Sequence, residues 1–100
     1  MAEIYANSLE ELSFELQEKL LDYISYNLTP TTGFNYRITA GVLKQPFTRQ
    51  NPSAIYHITN KCFMDAMIKS GYRAKIFKEN TPESEQDWYF NTKLLRVHPI

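Results

Sequence analysis

The chain has 100 residues, of which 43% are hydrophobic, 14% aromatic and 22% charged. These values are typical of a single globular domain with a modest core and exclude wholesale disorder. No apolar run approaches the ~20 residues of a membrane span, and the first residues lack the features of a signal peptide. We therefore expect a cytoplasmic protein without a membrane partner.

The charges sum to zero but are segregated along the chain. Residues 1–29 carry six acids against Lys19, residues 30–78 carry eight bases against Asp65, and residues 79–87 carry four acids and no base. The positive middle segment favours contact with a polyanion, whereas the zero sum argues against a strong nonspecific nucleic-acid binder.

The first predicted element is a helix from Ser8 to about residue 28. Ser8 and Glu11 have the spacing of a capping box, in which their side chains satisfy backbone amides of the first turn. Apolar residues recur every three or four positions and predict one buried stripe. The stripe consists of Leu9, Leu12, Leu16, Leu20, Ile24 and Leu28.

The same helix offers two further surfaces. Phe14, Leu21 and Tyr23 lie off the stripe and permit a second contact, inside the fold or in a homodimer through this helix. The acidic face of the helix consists of Glu11, Glu15, Glu18 and Asp22. Such a face is ordinarily solvated, and the alternative is a nucleic-acid mimic or docking surface for a basic partner.

The middle of the chain predicts a turn, a strand and a short helix. Residues 27–33 are rich in turn-forming types and predict a turn that closes the first helix. Residues 34–38 alternate apolar and polar side chains and predict a short strand. Thr39 can cap a second helix that runs to Lys44, and Pro46 must end or kink it because proline donates no hydrogen bond.

Residues 55–94 organise the fold. Asn60 is a favoured N-cap and Gly71 a favoured C′ residue, so they bound a third helix. Two β-prone runs follow, residues 73–78 and 88–95, separated by a polar, acidic loop. Helix, strand, loop and strand in this order form the back half of a winged helix. We predict an α+β, winged-helix-like fold with three helices, a small antiparallel sheet and an acidic wing loop.

The third helix has an apolar side and a charged side. Phe63 and Met67 lie on the apolar side, which Trp88 and Phe90 of the last strand are expected to cover. The charged side consists of Lys61, Asp65 and Lys69. If the sheet backs the helix in this way, the lysines face outward.

The sequence carries no catalytic signature. His57 and Cys62 are close in the chain, but no Asn or Asp is placed to orient the imidazole and no glycine-rich segment could bind an oxyanion. A buried thiol near a surface histidine is the better interpretation. Two scattered histidines and one cysteine do not make a zinc site. We therefore expect no enzyme activity, no cofactor and no metal.

The basic residues of the middle segment indicate a nucleic-acid interface. Bases neutralise phosphates, and small polar groups meet base edges. The candidate residues are Lys44, Arg49, Asn60, Lys61, Lys69, Arg73 and Lys75. The alternative is that the cations merely occupy the solvent face of a soluble domain. The acidic loop weakens the interface hypothesis, because carboxylates are repelled by phosphate.

Aromatic side chains could also stack on unpaired bases, at ~1 to 3 kcal/mol per base. The candidates are Tyr56, Tyr72, Trp88, Tyr89 and Phe90. Most of them are expected in the core, since a domain of this size needs its large side chains inside. Tyr72 and Tyr89 are the two expected to face solvent.

Three runs of the chain resemble small uncharacterised proteins, and segments of replication proteins, from phages and mobile elements of Gram-positive bacteria. The runs are YRITAGVLKQPF, YHITNKCFMDAMIKSGY and DWYFN. The shared positions are Tyr36, Leu43, Lys44, Tyr56, Asn60, Phe63, Ala66, Met67, Gly71, Tyr72, Trp88 and Phe90. The resemblance implies a winged-helix-like fold in a mobile-element setting and supplies no catalytic residue.

These features support two hypotheses. The first is a small DNA-binding protein of a phage or mobile element that acts on single- or double-stranded DNA in replication or transcription control. The second is a protein-binding inhibitor or adaptor, similar to an anti-CRISPR factor, whose acidic surfaces contact a basic nucleic-acid-processing protein. The residues of that second surface are Glu11, Glu15, Glu18, Asp22, Glu83, Glu85 and Asp87.

Overall fold

The structure of the protein, a computed structural model, describes residues 4–52, 56–78, 82 and 85–95, and of Ile4 and Tyr56 the backbone alone. The elements in chain order are β1 (Ile4–Ala6), a 3-10 helix (Leu9–Glu11), α1 (Phe14–Asn27), β2 (Leu28–Thr39), α2 (Ala40–Leu43), α3 (Gln45–Gln50), β3 (Tyr56–Ile58), α4 (Asn60–Lys69), β4 (Ala74–Phe77) and β5 (Asp87–Leu94). The fold class is α+β, as predicted. Among the described helices, none is both long and apolar enough to cross a bilayer.

Two sheets connect these elements. β2, β5 and β4 form an antiparallel sheet with β5 in the centre, and β1 pairs with β3 in a separate parallel pair. Within the β4–β5 hairpin, Lys75 lies opposite Tyr89 and Ile76 lies opposite Trp88. The two closing strands of the prediction are therefore confirmed, within one residue at each end.

The hairpin backs α4, as predicted. Phe63 and Met67 of α4 are buried in one core with Trp88 and Phe90 of β5. The rings of Phe63 and Phe90 meet edge to face, with their centroids 6.2 Å apart. The predicted leucine stripe also enters this core, with Leu16 partly buried at its edge. Each such side chain contributes ~1.5 to 3 kcal/mol when it leaves water, so this shared core is the main source of stability.

The first helix is shorter than predicted. α1 begins after Ser13, whose side chain caps it. Residues 9–11 form the separate 3-10 helix, and the Ser8 side chain makes no capping bond. The capping-box prediction is wrong, because the Glu11 carboxylate accepts the amide of Asn7 and not that of Ser8. Asp65 of α4 accepts the Leu9 amide at 2.7 Å. A tertiary contact thus satisfies one amide of this short first turn.

The predicted turn at residues 27–33 is instead part of β2. Pro30 lies opposite Thr92 on this outer strand, and edge strands tolerate a residue without an amide hydrogen. The register of β2 against β5 shifts twice, between Pro30 and Asn35, where the turn-forming run ends, and between Asn35 and Thr39. The Asn35 side chain donates to the Thr92 carbonyl at 3.2 Å and spans one of these irregularities.

The other helix boundaries follow the predicted signals in part. Pro46 lies in the first turn of α3, where its missing amide is harmless, and α3 itself is absent from the sequence prediction. Thr59, rather than Asn60, caps α4 by accepting the Cys62 amide at 3.1 Å. Gly71 ends α4 with a φ of 94°, as predicted.

The three off-stripe residues of α1 do not form one surface. Leu21 and Tyr23 pack against the core, and the Tyr23 hydroxyl donates to the Leu43 carbonyl at 2.6 Å. Phe14 is 85% exposed. Of the three side chains, Phe14 is therefore the one that could take part in the predicted homodimer contact, because Leu21 and Tyr23 pack inside the fold.

Candidate nucleic-acid interface

The seven predicted nucleic-acid-binding residues do not form one surface. They are divided among a cleft (Lys44, Asn60 and Lys61), the outer face of the antiparallel sheet (Arg73 and Lys75), an ion pair on α4 (Lys69) and the last turn of α3 (Arg49). Among the described residues, the sheet face combines two of these cations with aromatic rings from three strands.

Lys69 is engaged by two carboxylates. Its ammonium group contacts Glu10 of the 3-10 helix and lies 2.8 Å from Asp65 of α4. These partners, Asp65 first, raise the pKa of Lys69. Burial acts to raise the pKa of Asp65, but the Leu9 amide and Lys69 together hold it below its usual value. The edge of α4 that was expected to face DNA is therefore partly covered by the 3-10 helix.

The outer face of the antiparallel sheet carries a row of aromatic rings, which we call the aromatic face. It consists of Phe34 and Tyr36 of β2, Phe77 of β4 and Tyr89 of β5. The Tyr89 ring meets the rings of Tyr36 and Phe77 edge to face, at centroid distances of 5.0 and 5.3 Å. Phe34 and Tyr36 lie 6.4 Å apart. The row crosses all three strands, and Tyr36 is 57% exposed.

Two exposed cations lie over these rings. The Lys75 ammonium is 5.2 Å from the centroid of the Tyr36 ring and donates to its hydroxyl at 3.0 Å. The Arg73 guanidinium is 5.4 Å from the centroid of the Phe34 ring and donates to the Thr32 carbonyl at 2.8 Å. A cation within ~6 Å of a ring is attracted by ~0.5 to 1 kcal/mol at an exposed site. The aromatic face therefore presents rings and positive charge together.

Strand periodicity builds this surface. Successive side chains of a strand point to opposite faces, so Trp88 and Phe90 enter the core while Tyr89 between them points outward. Lys75 lies opposite Tyr89 in the register and therefore shares its face. Two residues further along β4, Phe77 joins them for the same reason.

Asn91 connects the two outer strands beside the aromatic face. Its side-chain oxygen accepts the Arg73 amide at 2.6 Å, and its side-chain nitrogen donates to the Thr31 carbonyl at 3.2 Å. Asn91 is buried, and a buried amide that is bonded at both ends fixes its neighbours in position. No signal in the sequence distinguishes Asn91 from an ordinary strand residue.

Sequence reasoning found part of the aromatic face. Tyr89 lies on the outer face, and Trp88 and Phe90 are in the core, as predicted. Tyr72 is 7% exposed, so its prediction as a solvent-facing ring is wrong. Its amide bonds to the Met67 carbonyl at 3.0 Å in the turn after α4, and this turn folds the ring back onto the core.

The remaining rings of the face were not proposed for stacking. The alternation along residues 34–38 predicts Phe34, Tyr36 and Ile38 on one side of a strand, but Ile38 packs against the core, beyond the register shift after Asn35. The alternation along residues 73–77 puts Phe77 beside two cations. What the sequence could not show is that these two sides coincide. The ring of Tyr56, another stacking candidate, lies outside the described residues.

The acidic residues of the second hypothesis are also dispersed. Glu15, Glu18 and Asp22 share an exposed side of α1, with Glu15 paired to Lys19 at 3.2 Å. Glu11 lies in the 3-10 helix instead, where its carboxylate accepts the Asn7 amide. The predicted continuous acidic helix face is therefore interrupted after its first member.

Asp87 has a structural position. Its Oδ1 atom accepts the amides of Gly41 at 3.0 Å and Trp88 at 2.8 Å, which joins the start of β5 to α2. Glu85 is exposed. Residues 79–81 and 83–84 lie outside the described part of the chain, so the acidic wing loop and Glu83 are not described here.

Cys62 and His57 face different surroundings. Cys62 is fully buried, its thiol donates to the Ser8 carbonyl at 3.4 Å, and burial raises its pKa to about 12. His57 is exposed, and its ring stacks on Tyr5 at a centroid distance of 5.1 Å. In the described ranges, no three His, Cys, Asp or Glu side chains are close enough together to hold a metal ion.

Comparisons of the chain with known proteins found no matching family model, no matching curated protein and no matching solved structure. The resemblance to proteins of phages and mobile elements therefore stays a prediction.

Proposed function

We propose that this protein binds single-stranded nucleic acid, foremost single-stranded DNA, on the aromatic face. The observation that carries the proposal is the row of rings across β2, β5 and β4 with Arg73 and Lys75 beside it. Rings of this kind stack on bases, and the two cations would contact the phosphates on either side. Stacking is tolerant of sequence because every base has a flat face, so the expected binding is weakly sequence-specific.

The aromatic face suits single strands better than duplexes. Its rings lie on an open sheet rather than on a protruding helix or ribbon, and a protruding element is what enters the ~12 Å wide major groove of B-DNA. Bases of a duplex are already stacked on one another and cannot reach side-chain rings. The alternative duplex-reading surface, the charged edge of α4, has its Lys69 paired with Glu10 and Asp65.

We also propose that the fold is a winged helix. From α1 to β5 the chain runs helix, strand, two helices, short strand, helix, strand, strand, and the sheet order β2-β5-β4 supports this assignment. In such an arrangement α4 takes the position of the recognition helix. Single-strand binding by a protein of this size accords with a non-enzymatic role in replication or transcription control in a phage or mobile element, which the resemblance implies.

The test is fluorescence anisotropy at low salt with a labelled single strand and the corresponding duplex. We expect the single strand to bind more tightly, and Tyr36→Ala and Tyr89→Ala each to weaken it roughly 5- to 150-fold, which corresponds to the loss of one stacked base. Tyr26→Ala is the matched control, since Tyr26 is 75% exposed on α1, and it should leave the affinity unchanged.

Two results would exclude this function. One is the absence of any single-strand binding at low salt by a protein whose circular dichroism is that of a folded domain. The other is duplex binding that survives both tyrosine substitutions and is lost with Lys61→Glu and Lys69→Glu, since that pattern assigns the contact to α4.

Phe14 favours a second candidate function, the binding of a basic nucleic-acid-processing protein. Its ring is 85% exposed beside the acidic side chains of Glu15 and Glu18. An aromatic anchor within a charged rim is typical of a protein interface. Capture of such a partner should be lost with Phe14→Ala and with Glu15→Lys plus Glu18→Lys, and kept with Tyr26→Ala. Capture that all these variants retain would refute this alternative.

A further inference from the structure

A cleft of about 770 Å³ opens beside the parallel strands β1 and β3. The residues that matter for its chemistry are Tyr5, Asn7, Lys44, His57, Asn60 and Lys61. Its volume lies within the ~300 to 1,000 Å³ that is typical of small-molecule sites. The cleft is separate from the aromatic face and shares none of its rings or cations.

One wall of the cleft is a pair of stacked rings. Tyr5 of β1 and His57 of β3 are register partners in the parallel pair. Their rings lie 5.1 Å apart at an angle of 27°, and Tyr5 is 61% exposed. A tyrosine ring held flat in this way has lost conformational freedom before a ligand arrives, so it is a good platform for another planar ring.

The cleft is also positively charged. Lys44 is held in its wall by donating to the Ile58 carbonyl at 3.0 Å. Burial lowers the pKa of Lys44, and the nearby charge of Asp87 opposes this effect. Lys61 lies in the first turn of α4, and the amino end of a helix adds positive potential there. Two ammonium groups and a helix end together favour an anion.

We propose that this cleft binds a nucleoside phosphate, with the base stacked on Tyr5 and the phosphate between Lys44 and Lys61. The side-chain amide of Asn7 supplies both a donor and an acceptor for the base edge. The Asn60 amide group is held in place by donating to the Gln86 carbonyl at 3.2 Å. A planar platform, two cations and a polar amide match the three chemical parts of a nucleotide.

The same chemistry is offered by a free nucleotide and by the phosphorylated end of a strand. The second source has a geometric argument, because Gln86 lines the cleft and Tyr89 of the aromatic face follows three residues later. At ~3.3 Å per residue of extended chain, the backbones of Gln86 and Tyr89 are at most about 10 Å apart, so one strand could contact both residues. The nucleotide site nevertheless stands without the aromatic face, since its own residues carry it.

The test is isothermal titration calorimetry of the full chain with adenosine monophosphate, adenosine and inorganic phosphate. We expect the monophosphate to bind at least ~10-fold more tightly than either fragment, because only it contacts both the platform and the cations. Tyr5→Ala and Lys61→Gln should each weaken it by roughly tenfold. The matched controls Tyr26→Ala and Lys19→Gln, both on α1, should not change it.

A second measurement identifies the source. It compares the affinities of a 5′-phosphorylated oligonucleotide and its 5′-hydroxyl form. If the phosphorylated form binds more tightly and Lys61→Gln removes the difference, the ligand of the cleft is a strand end. This result supports the site even if mononucleotide binding is too weak to measure. The proposal is overturned if neither the mononucleotide nor the phosphorylated end gains affinity from the cleft, or if inorganic phosphate binds as tightly as the mononucleotide. If the aromatic face does not bind nucleic acid, Tyr36→Ala and Tyr89→Ala leave the affinity for single strands unchanged. Neither variant changes mononucleotide binding in the cleft, so failure of one proposal can be distinguished from failure of the other.

Discussion

Gly71 ends α4 in a conformation that residues with a side chain seldom adopt. Its φ is 94°, its amide bonds to the Ile68 carbonyl, and the Tyr72 amide bonds to the Met67 carbonyl, both at 3.0 Å. This pair of bonds is a Schellman motif, which satisfies the last carbonyls of the helix. It also turns Tyr72 onto the core and aims the chain into β4.

We expect Gly71→Ala to lower the free energy of unfolding by about 1 to 2 kcal/mol, because a Cβ atom is unfavourable at this φ. The space around it is open, so the cost is in the backbone alone. Urea denaturation followed by circular dichroism measures it. Gly33→Ala is the control, since it too meets open space but without the left-handed backbone. Equal losses for the two variants would contradict this explanation.

At the scale of elements, Asp65 joins the 3-10 helix to α4. Its carboxylate accepts the Leu9 amide at 2.7 Å and pairs with Lys69 at 2.8 Å. These contacts favour the ionised form, and they hold the folded-state pKa of Asp65 below its ordinary value although burial opposes them. The stabilisation is therefore present at neutral pH and is lost as the pH falls through that lowered pKa.

We expect Asp65→Asn to cost about 1 kcal/mol of unfolding free energy at neutral pH and to flatten the fall of stability toward acid pH. The Asn side chain keeps a hydrogen-bond acceptor but has no charge to lose. Urea denaturation at neutral and strongly acidic pH measures both effects. Asp22→Asn, at an exposed position of α1, should leave the pH profile as it is. An unchanged acid dependence in Asp65→Asn would show that other carboxylates cause it.

The elements differ in how far the sequence could predict them. β4 and β5 were predicted within one residue because their alternation and the loop between them are local signals. The start of α1 was missed because Ser8 and Glu11 have the spacing of a capping box, yet Glu11 accepts the Asn7 amide and Ser13 caps the helix. The start of β2, within residues 27–33, was missed because turn-forming composition does not show that this segment can pair with β5.

At the scale of the whole molecule, the charges are segregated along the chain but partly recombined in space. Glu10 from the acidic first third contacts Lys69 of the basic middle segment. Arg73 and Lys75 remain exposed on the aromatic face. Net charge by segment therefore does not show which cations stay exposed once the chain has folded.

We expect single-strand affinity to fall as salt rises, with a slope that reports the phosphate contacts. Each contact contributes ~0.7 to the slope of log affinity against log salt for single strands, so Lys75→Gln should reduce the slope by about that amount. Anisotropy titrations at several salt concentrations measure it. Lys19→Gln, on α1, is the control with an unchanged slope. A slope that is indifferent to Lys75 would remove it from the binding face.

By itself the sequence determined the fold class, the closing hairpin, the glycine that stops α4 and the apolar stripe that enters the core. These features depend on periodicity and turn chemistry within a few residues, so they can be recognised without knowing what lies nearby in space. The tertiary structure alone decided that Leu9 bonds to a residue 56 positions away. It also decided that rings from three strands meet on one face, because that meeting depends on sheet order and register, which no local pattern contains.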